Sequence, residues 1–251
     1  MRGPGSLGKY LNKVTQGDCL ELMRELPDKC VDLVLTDPPY GIGEDGSRNN
    51  GRVYNKNGKP IRRDKRNGAY ITTRPKNYPK AVEVLPSQEV FDEIFRIGKN
   101  HIIFGSNYFH FNQKKESSGR IFWDKVNGAS DQSDGELAWT NLFDSVRQIE
   151  FMWSGFLQGK SISEGRTNQG NKSLCENRVY PTQKPLLLLQ HLLKKHASSG
   201  NIVMDPYGGS GTTGVACLKE NRDFIIFEIV PESVEIANKR IEAERAQLKM
   251  F

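Results

Sequence analysis

The sequence predicts an α/β fold: one sheet with helices on both faces, its strands in a circularly permuted order. Three observations carry this. Strand-like apolar runs alternate with helical patterns along the 251 residues, as they do when helices cover a sheet. The run from Val31 to Thr36 reads as a continuous apolar strand, the pattern of a central strand buried on both faces. A glycine-rich string near the C-terminus joins a strand to a helix, yet only one strand and one helix follow it. The N-terminal strands must therefore complete the sheet.

In chain order, Val14 to Asp18 reads as a short strand, and Cys19 to Leu26 as a short amphipathic helix stopped by Pro27. The Val31–Thr36 strand follows. Residues 41–80 are rich in Gly, Asn, Lys and Arg without a hydrophobic period, so they form a long loop. Val90, Phe91, Ile94 and Phe95 give helical spacing over Gln88 to Ile97, and Gly98 ends it. His101 to Phe104 and Ile121 to Trp123 are strands. Ser133-Asp134-Gly135-Glu136 has the S-x-x-E capping form and should open a helix through Leu137, Ala138 and Trp139. Gln148 to Trp153 reads as a strand, and 155–180 as a polar, irregular stretch. Leu186 to Leu193 is a strongly apolar helix, with Lys194, Lys195 and His196 at its dipole-favoured end and Gly200 as a stop. Ile202 to Met204 is a strand, Thr212 to Lys219 a helix, Phe224 to Phe227 a strand, and Pro231 to about Leu248 a long amphipathic helix. The first six residues carry no weight in this reading.

The glycine string is Asp205-Pro206-Tyr207-Gly208-Gly209-Ser210-Gly211-Thr212-Thr213-Gly214. It contains G-x-G-x-x-G as Gly209, Gly211 and Gly214, and Glu228 stands about 20 residues on, where a ribose acid would be. Two features count against NAD. The half-sheet that should continue after Glu228 is missing, and Asp205 at the strand tip would repel a pyrophosphate. A carboxylate there suits a cationic amino group. S-adenosylmethionine has that amine, a sulfonium, and a ribose diol for Glu228.

Asp37-Pro38-Pro39-Tyr40 follows the apolar strand directly. The two prolines fix φ and remove two backbone donors, so nearby carbonyls face a neighbour without competition. Asp37 adds an acceptor and Tyr40 a flat face. The set suits a planar ring with an exocyclic amino group, such as adenine or cytosine. Ring-carbon methylation of cytosine needs a Cys nucleophile, commonly after Pro, and none of the four Cys follows a Pro.

The net charge of +6 is local. Residues 41–80 hold eleven Lys and Arg against three acids, a charge of +8, which leaves −2 for the rest. Such a segment suits phosphate neutralisation. Cys19, Cys30, Cys175 and Cys217 lack C-x-x-C spacing, and the four His form no metal register with them. Reduced thiols, a cytoplasmic setting and no metal site are therefore expected. No apolar run is long enough to span a bilayer, and no apolar leader stands at the N-terminus.

These strings together resemble the β-order amino-methyltransferases of DNA, in which the catalytic motif precedes the cofactor motif. Asp37-Pro38-Pro39-Tyr40, Asp205 to Thr213, Pro181-Thr182-Gln183-Lys184-Pro185, Gly17-Asp18-Cys19 and Phe227-Glu228-Ile229-Val230-Pro231-Glu232 occur in the family's order. Phe122-Trp123-Asp124-Lys125 with Gly135-Glu136-Leu137-Ala138-Trp139 is similar to a subgroup common in phages and prophages. Tyr207 stands where Phe is usual, and Tyr180 where His is usual; neither removes a group the chemistry needs.

The resemblance implies a permuted Rossmann-like methyltransferase sheet in a single domain over 1–251. It also implies S-adenosylmethionine as cofactor and double-stranded DNA as substrate, in a bacterial or phage-encoded protein. It leaves room for a cognate restriction endonuclease and a homodimer. Asp37, Pro38, Pro39 and Tyr40 would hold the flipped base. Asp18, with the backbone of Cys19, would lie by the cofactor adenine, and Thr182 and Lys184 by its methionine end. Asp205, Tyr207, Gly208, Gly209, Ser210, Gly211, Thr212 and Thr213 would form the cofactor loop, with Asp205 at the amine and Glu228 at the ribose. Residues 41–80 would contact DNA and 155–180 would recognise the target. An Asp-headed motif leans towards adenine N6. Cytosine N4, RNA or small-molecule methylation and an inactive DNA-binding homologue are the alternatives, and a dehydrogenase is the most remote.

Overall fold

One eight-stranded sheet carries the fold in the computed structural model, which describes residues 5–41, 53–54, 60–61, 84–109, 117–126, 133–154, 157–159, 175–180 and 182–248. Among the described residues the chain begins with helix Gly5–Tyr10 (α1), strand Lys13–Gln16 (β1), helix Cys19–Arg24 (α2) and strand Val31–Thr36 (β2). The short pair Val53–Tyr54 (β3) and Pro60–Ile61 (β4), helix Gln88–Ile97 (α3) and strands Gly98–Phe104 (β5), Arg120–Asp124 (β6), Gly135–Thr140 (β7) and Val146–Glu150 (β8) follow. Trp153–Ser154 (β9) and Leu157–Gln158 (β10) pair with each other. Helix Leu186–His196 (α4), strand Ile202–Asp205 (β11), helix Thr212–Lys219 (α5), strand Asp223–Glu228 (β12) and helix Pro231–Leu248 (α6) complete the chain.

The sheet order is β1-β12-β11-β2-β5-β7-β6-β8. From β1 to β5 all neighbours are parallel. β2 and β11, from opposite ends of the chain, lie side by side with Leu33 against Val203 and Val34 against Met204. The permuted order expected from the glycine string is therefore the observed one. The crevice beyond the C-terminal ends of such parallel strands is where α/β sheets bind ligands. Thr36, Phe104, Asp205 and Glu228 all end strands on that edge.

Alternation explains the continuous apolar strands. Leu33 and Leu35 of β2 and Phe224 and Ile226 of β12 join one core with α4 and α5. Val34, Ile225 and Phe227 join the opposite core with α3. Each central strand is buried on both faces, so it needs apolar residues at both parities. On α3 the buried residues Val90, Phe91, Ile94 and Ile97 form one helical stripe. Asp18 caps α2, accepting the N–H groups of Leu20 at 2.8 Å and Glu21 at 3.3 Å.

Two expectations differ from the structure. The helix expected from Ser133 onwards is instead strand β7, hydrogen-bonded to β5 on one side and β6 on the other. Ser133 Oγ donates to the Gly135 carbonyl at 2.6 Å. The local capping signal lost to two flanking strands that satisfy this backbone on both sides. The strand expected over Gln148 to Trp153 is split into β8 and β9. Helix α1 was not expected from the sequence; its Tyr10 hydroxyl donates to Glu25 at 2.6 Å. No described helix is long and apolar enough to cross a membrane. Most of segments 41–80 and 155–180 lies outside the described residues.

Candidate functional site

Asp37 leaves the tip of β2 into a half-buried slot and meets a cation there. Lys184 Nζ ion-pairs with Asp37 Oδ2 and lies 3.0 Å from Glu136 Oε2. Glu136 Oε1 pairs with Lys125 at 2.7 Å. Two carboxylates and two ammonium groups thus balance in a site where Lys184 is 9% exposed. Burial pushes the Asp37 carboxyl up and Glu136 adds to this, while Lys184 opposes it. Burial acts the same way on Glu136, but Lys184 and Lys125 override it and hold Glu136 down at about 2. Lys184 moves up, because the two carboxylates outweigh the burial that lowers it. An unpaired charge in such a place would cost several kcal/mol, on the order of 3–5.

Tyr40 closes the slot. Its hydroxyl donates to Asp37 Oδ1 and lies 3.2 Å from Glu136 Oε2. Its ring stacks on Tyr108, centroids 4.9 Å apart and planes within 17°. Gly105, just past β5, has φ +75°, and a Cβ there would overlap the Tyr40 ring. Both the backbone angle and the space require glycine at this position. Gly105→Ala is expected to push Tyr40 out of the slot, with a stability loss of about 1–3 kcal/mol. A methylation assay beside a cofactor titration should show lost turnover with retained cofactor binding. Full turnover would contradict the seating role.

The glycine loop leaves the neighbouring strand. Asp205, 5% exposed at the tip of β11, accepts from Thr36 Oγ1 at 2.8 Å, Thr213 Oγ1 at 2.6 Å and the Tyr207 N–H at 3.1 Å. Thr36 immediately precedes Asp37, so one side chain bridges the two loops. Burial pushes the Asp205 carboxyl up to about 6, against those three donors. The unfolded value is near 3.9, so the native state holds the proton more tightly. Asp205 therefore favours folding below about pH 4, and that contribution is lost as pH rises to about 6. Asp205→Asn is expected to raise stability by up to about 2–3 kcal/mol above pH 6 and little at pH 4, while weakening cofactor binding. Thermal melts at the two pH values check the sign.

Glu228 ends β12 beside this loop. Its Oε2 accepts the Gly209 N–H at 2.7 Å and its Oε1 the Val230 N–H at 2.8 Å; burial pushes its carboxyl up. Gly211 has φ +73°, and a Cβ there would come within 2.7 Å of Ala237 Cβ, so α6 can pack directly on the loop. Ser210, Thr212 and Thr213 are buried. Burial raises the Cys19 thiol to about 11, which leaves it an unreactive thiol at neutral pH.

The structure thus brings Asp37, Tyr40 and Lys184 into one cluster, and Asp205, Glu228 and the loop from Tyr207 to Thr213 into an adjoining one. Pro38 is buried and Pro39 half-buried at the slot. Asp18 and Cys19 lie by Tyr207 at the start of α2. Thr182 is half-buried two residues before Lys184. Sequence reasoning missed Glu136, Lys125 and Gly105. Glu136 was within the misread capping box, and Lys125 reaches it only because Trp123 pairs with Glu136 across β6 and β7. Among the described residues, no group of three or more His, Cys, Asp or Glu could hold a metal ion.

Comparison with known proteins shows the family. A family model of DNA methylases, covering N6 and N4 methyltransferases, matches residues 52–239, more than half of the chain. The Type II methyltransferase M.HpaI of Haemophilus parainfluenzae is 27% identical, over 90% of this chain and 73% of that protein. The Type II methyltransferase M2.DpnII of Streptococcus pneumoniae is 24% identical, over 94% of this chain and 92% of its own. The crystal structure of M1.HpyAVI superposes with a TM-score of 0.51 at 20% identity, covering 91% of this chain and 98% of that one.

Proposed function

The chain belongs to the DNA methylase family of N6 and N4 methyltransferases, and from that premise we propose that it methylates the exocyclic N6 of adenine, flipped out of duplex DNA, using S-adenosylmethionine. One observation carries the reading. Asp37 and Asp205 stand at the tips of adjacent parallel strands, joined through Thr36, so the amine slot and the glycine loop are neighbours on one edge of the sheet.

The residues present fit the cofactor. Asp205 is a buried acceptor for its amine, Gly209 at positive φ lets the loop backbone approach a ligand closely, and Glu228 stands at the next strand tip for the ribose hydroxyls. When bound, S-adenosylmethionine supplies an electrophilic methyl group on a sulfonium. The protein's own work is done on the nucleophile. Asp37 Oδ1 and the Pro38 carbonyl accept the two N–H bonds of the base, which turns the nitrogen lone pair towards the methyl. Tyr40 gives up its bond to Asp37 Oδ1 for this and keeps Glu136 as its partner, already at 3.2 Å. Lys184 stays on Oδ2 and holds Asp37 as an acceptor. The proton shed by the methylated nitrogen passes to Asp37, whose carboxyl burial has raised.

The test is mass analysis of nucleosides from duplex DNA methylated by the purified protein. N6-methyladenine is the expected product. N4-methylcytosine would move the reading to the other amine, and unmodified DNA would overturn it. The basic segment 41–80 is proposed to contact phosphates, so DNA affinity should fall steeply with salt. A flat salt response would remove that role.

A further inference from the structure

Arg240 of α6 holds two parts of the chain at once. Its Nη1 donates to the Ser210 carbonyl at 2.8 Å, Ser210 Oγ at 2.9 Å and Thr212 Oγ1 at 2.8 Å, all in the glycine loop. Its Nη2 donates to Glu176 Oε1 at 3.0 Å. Glu176 Oε1 also accepts from Gln183 Nε2 at 2.6 Å, and Oε2 accepts the N–H of Leu186, the first residue of α4, at 2.7 Å. Gln158 clasps the Glu176 backbone from both sides, each bond 2.8 Å. Lys184, which grips Asp37, stands between Gln183 and Leu186 in the chain.

A continuous path therefore links the two clusters. It runs from Ser210 and Thr212 through Arg240 to Glu176, then through Gln183 and Leu186 to Lys184 and Asp37. Arg240 and Glu176 are each only 18% exposed, so this is not a rim ion pair of negligible worth. The planar guanidinium serves both ends in a fixed fork, which a flexible ammonium does not reproduce. The mechanism above uses neither residue directly.

We propose that Arg240 and Glu176 are positioning residues, a strut that sets the cofactor loop at a fixed distance from the Lys184–Asp37 pair. The inference rests on reading the glycine loop as the S-adenosylmethionine site. Direct displacement needs the methyl and the amine aligned, and a misplacement of about 1 Å can cost about a hundredfold in rate. A strut between the two holding loops is a physical means of keeping them aligned.

The test uses the full chain with Arg240→Met, Arg240→Lys, Glu176→Gln and the double variant Arg240→Met/Glu176→Gln. Cofactor Kd, kcat at saturating cofactor and DNA, and Tm are measured for each. Glu176→Gln, nearly isosteric, is expected to lower kcat about tenfold with cofactor Kd within about twofold. Arg240→Met is expected to weaken cofactor binding and lower kcat, each about tenfold, and the double variant to be no slower than Arg240→Met alone. Arg240→Lys should regain cofactor affinity but not kcat, because an ammonium reaches the loop or Glu176 but not both. Should Arg240→Met fail to fold, Glu176→Gln and Arg240→Lys carry the same test. Additive losses in the double variant, or single variants with normal kcat at saturation, overturn the strut. A wild-type protein that neither binds S-adenosylmethionine nor methylates DNA would instead overturn the proposed function.

Discussion

Asp37→Ala is expected to reduce methyl transfer by at least about 10²–10³-fold, while S-adenosylmethionine binding changes by less than about twofold. The residue sits at the tip of β2, and its carboxylate faces Lys184 and Tyr40 rather than the glycine loop. The substitution removes the acceptor that aims the amino lone pair. It leaves Asp205, Glu228 and the loop glycines untouched. The fold should survive, because Lys184 keeps Glu136 at 3.0 Å and is not left as an isolated buried cation. Isothermal titration with the cofactor, beside a single-turnover methylation assay, separates the two effects. Loss of cofactor binding together with turnover would contradict the role given to Asp37.

Lys184→Met should have the largest effect on stability. It leaves Asp37 and Glu136 together, with Lys125 on the far side of Glu136 as the one compensating cation among the described residues. Breaking a buried pair from one side costs about 3–5 kcal/mol. The cost should depend on pH in a definite direction. Without its cation the Asp37 carboxyl rises further above its unfolded value, so the native state gains affinity for a proton. The variant is then most stable below about pH 4 and loses stability as pH rises through the raised value. Melts from pH 4 to pH 8 should show the variant approaching the wild type at the acid end. Any remaining methyl transfer should require higher pH, since a protonated Asp37 no longer accepts both its partners. A pH profile identical to that of the wild type would remove Lys184 from the mechanism.

The same residues show where sequence reading succeeds. α3, α5, α6 and β2 lie where helical stripes, capping glycines and a doubly apolar run place them, because these signals are local. β7 was missed because its signal is not local. Ser133-x-x-Glu136 satisfies a helix-capping pattern, and only the presence of β5 and β6 on its two sides makes Leu137, Ala138 and Trp139 a strand. That single change of element decides the site, since in β7 the Glu136 carboxylate faces Lys184 and Lys125.

The sequence by itself determined the permuted α/β order, the Asp37 motif, the glycine loop and the acid at Glu228, since each is a contiguous string whose chemistry lies in its own residues. The tertiary structure alone decided which charges meet. Asp37, Lys184, Glu136 and Lys125 come from four separate segments, and Arg240 of α6 reaches Glu176 in the irregular stretch before α4. Their pairing follows from the sheet order and from the cost of burying any one of those charges without its partner, and neither is encoded in a local pattern.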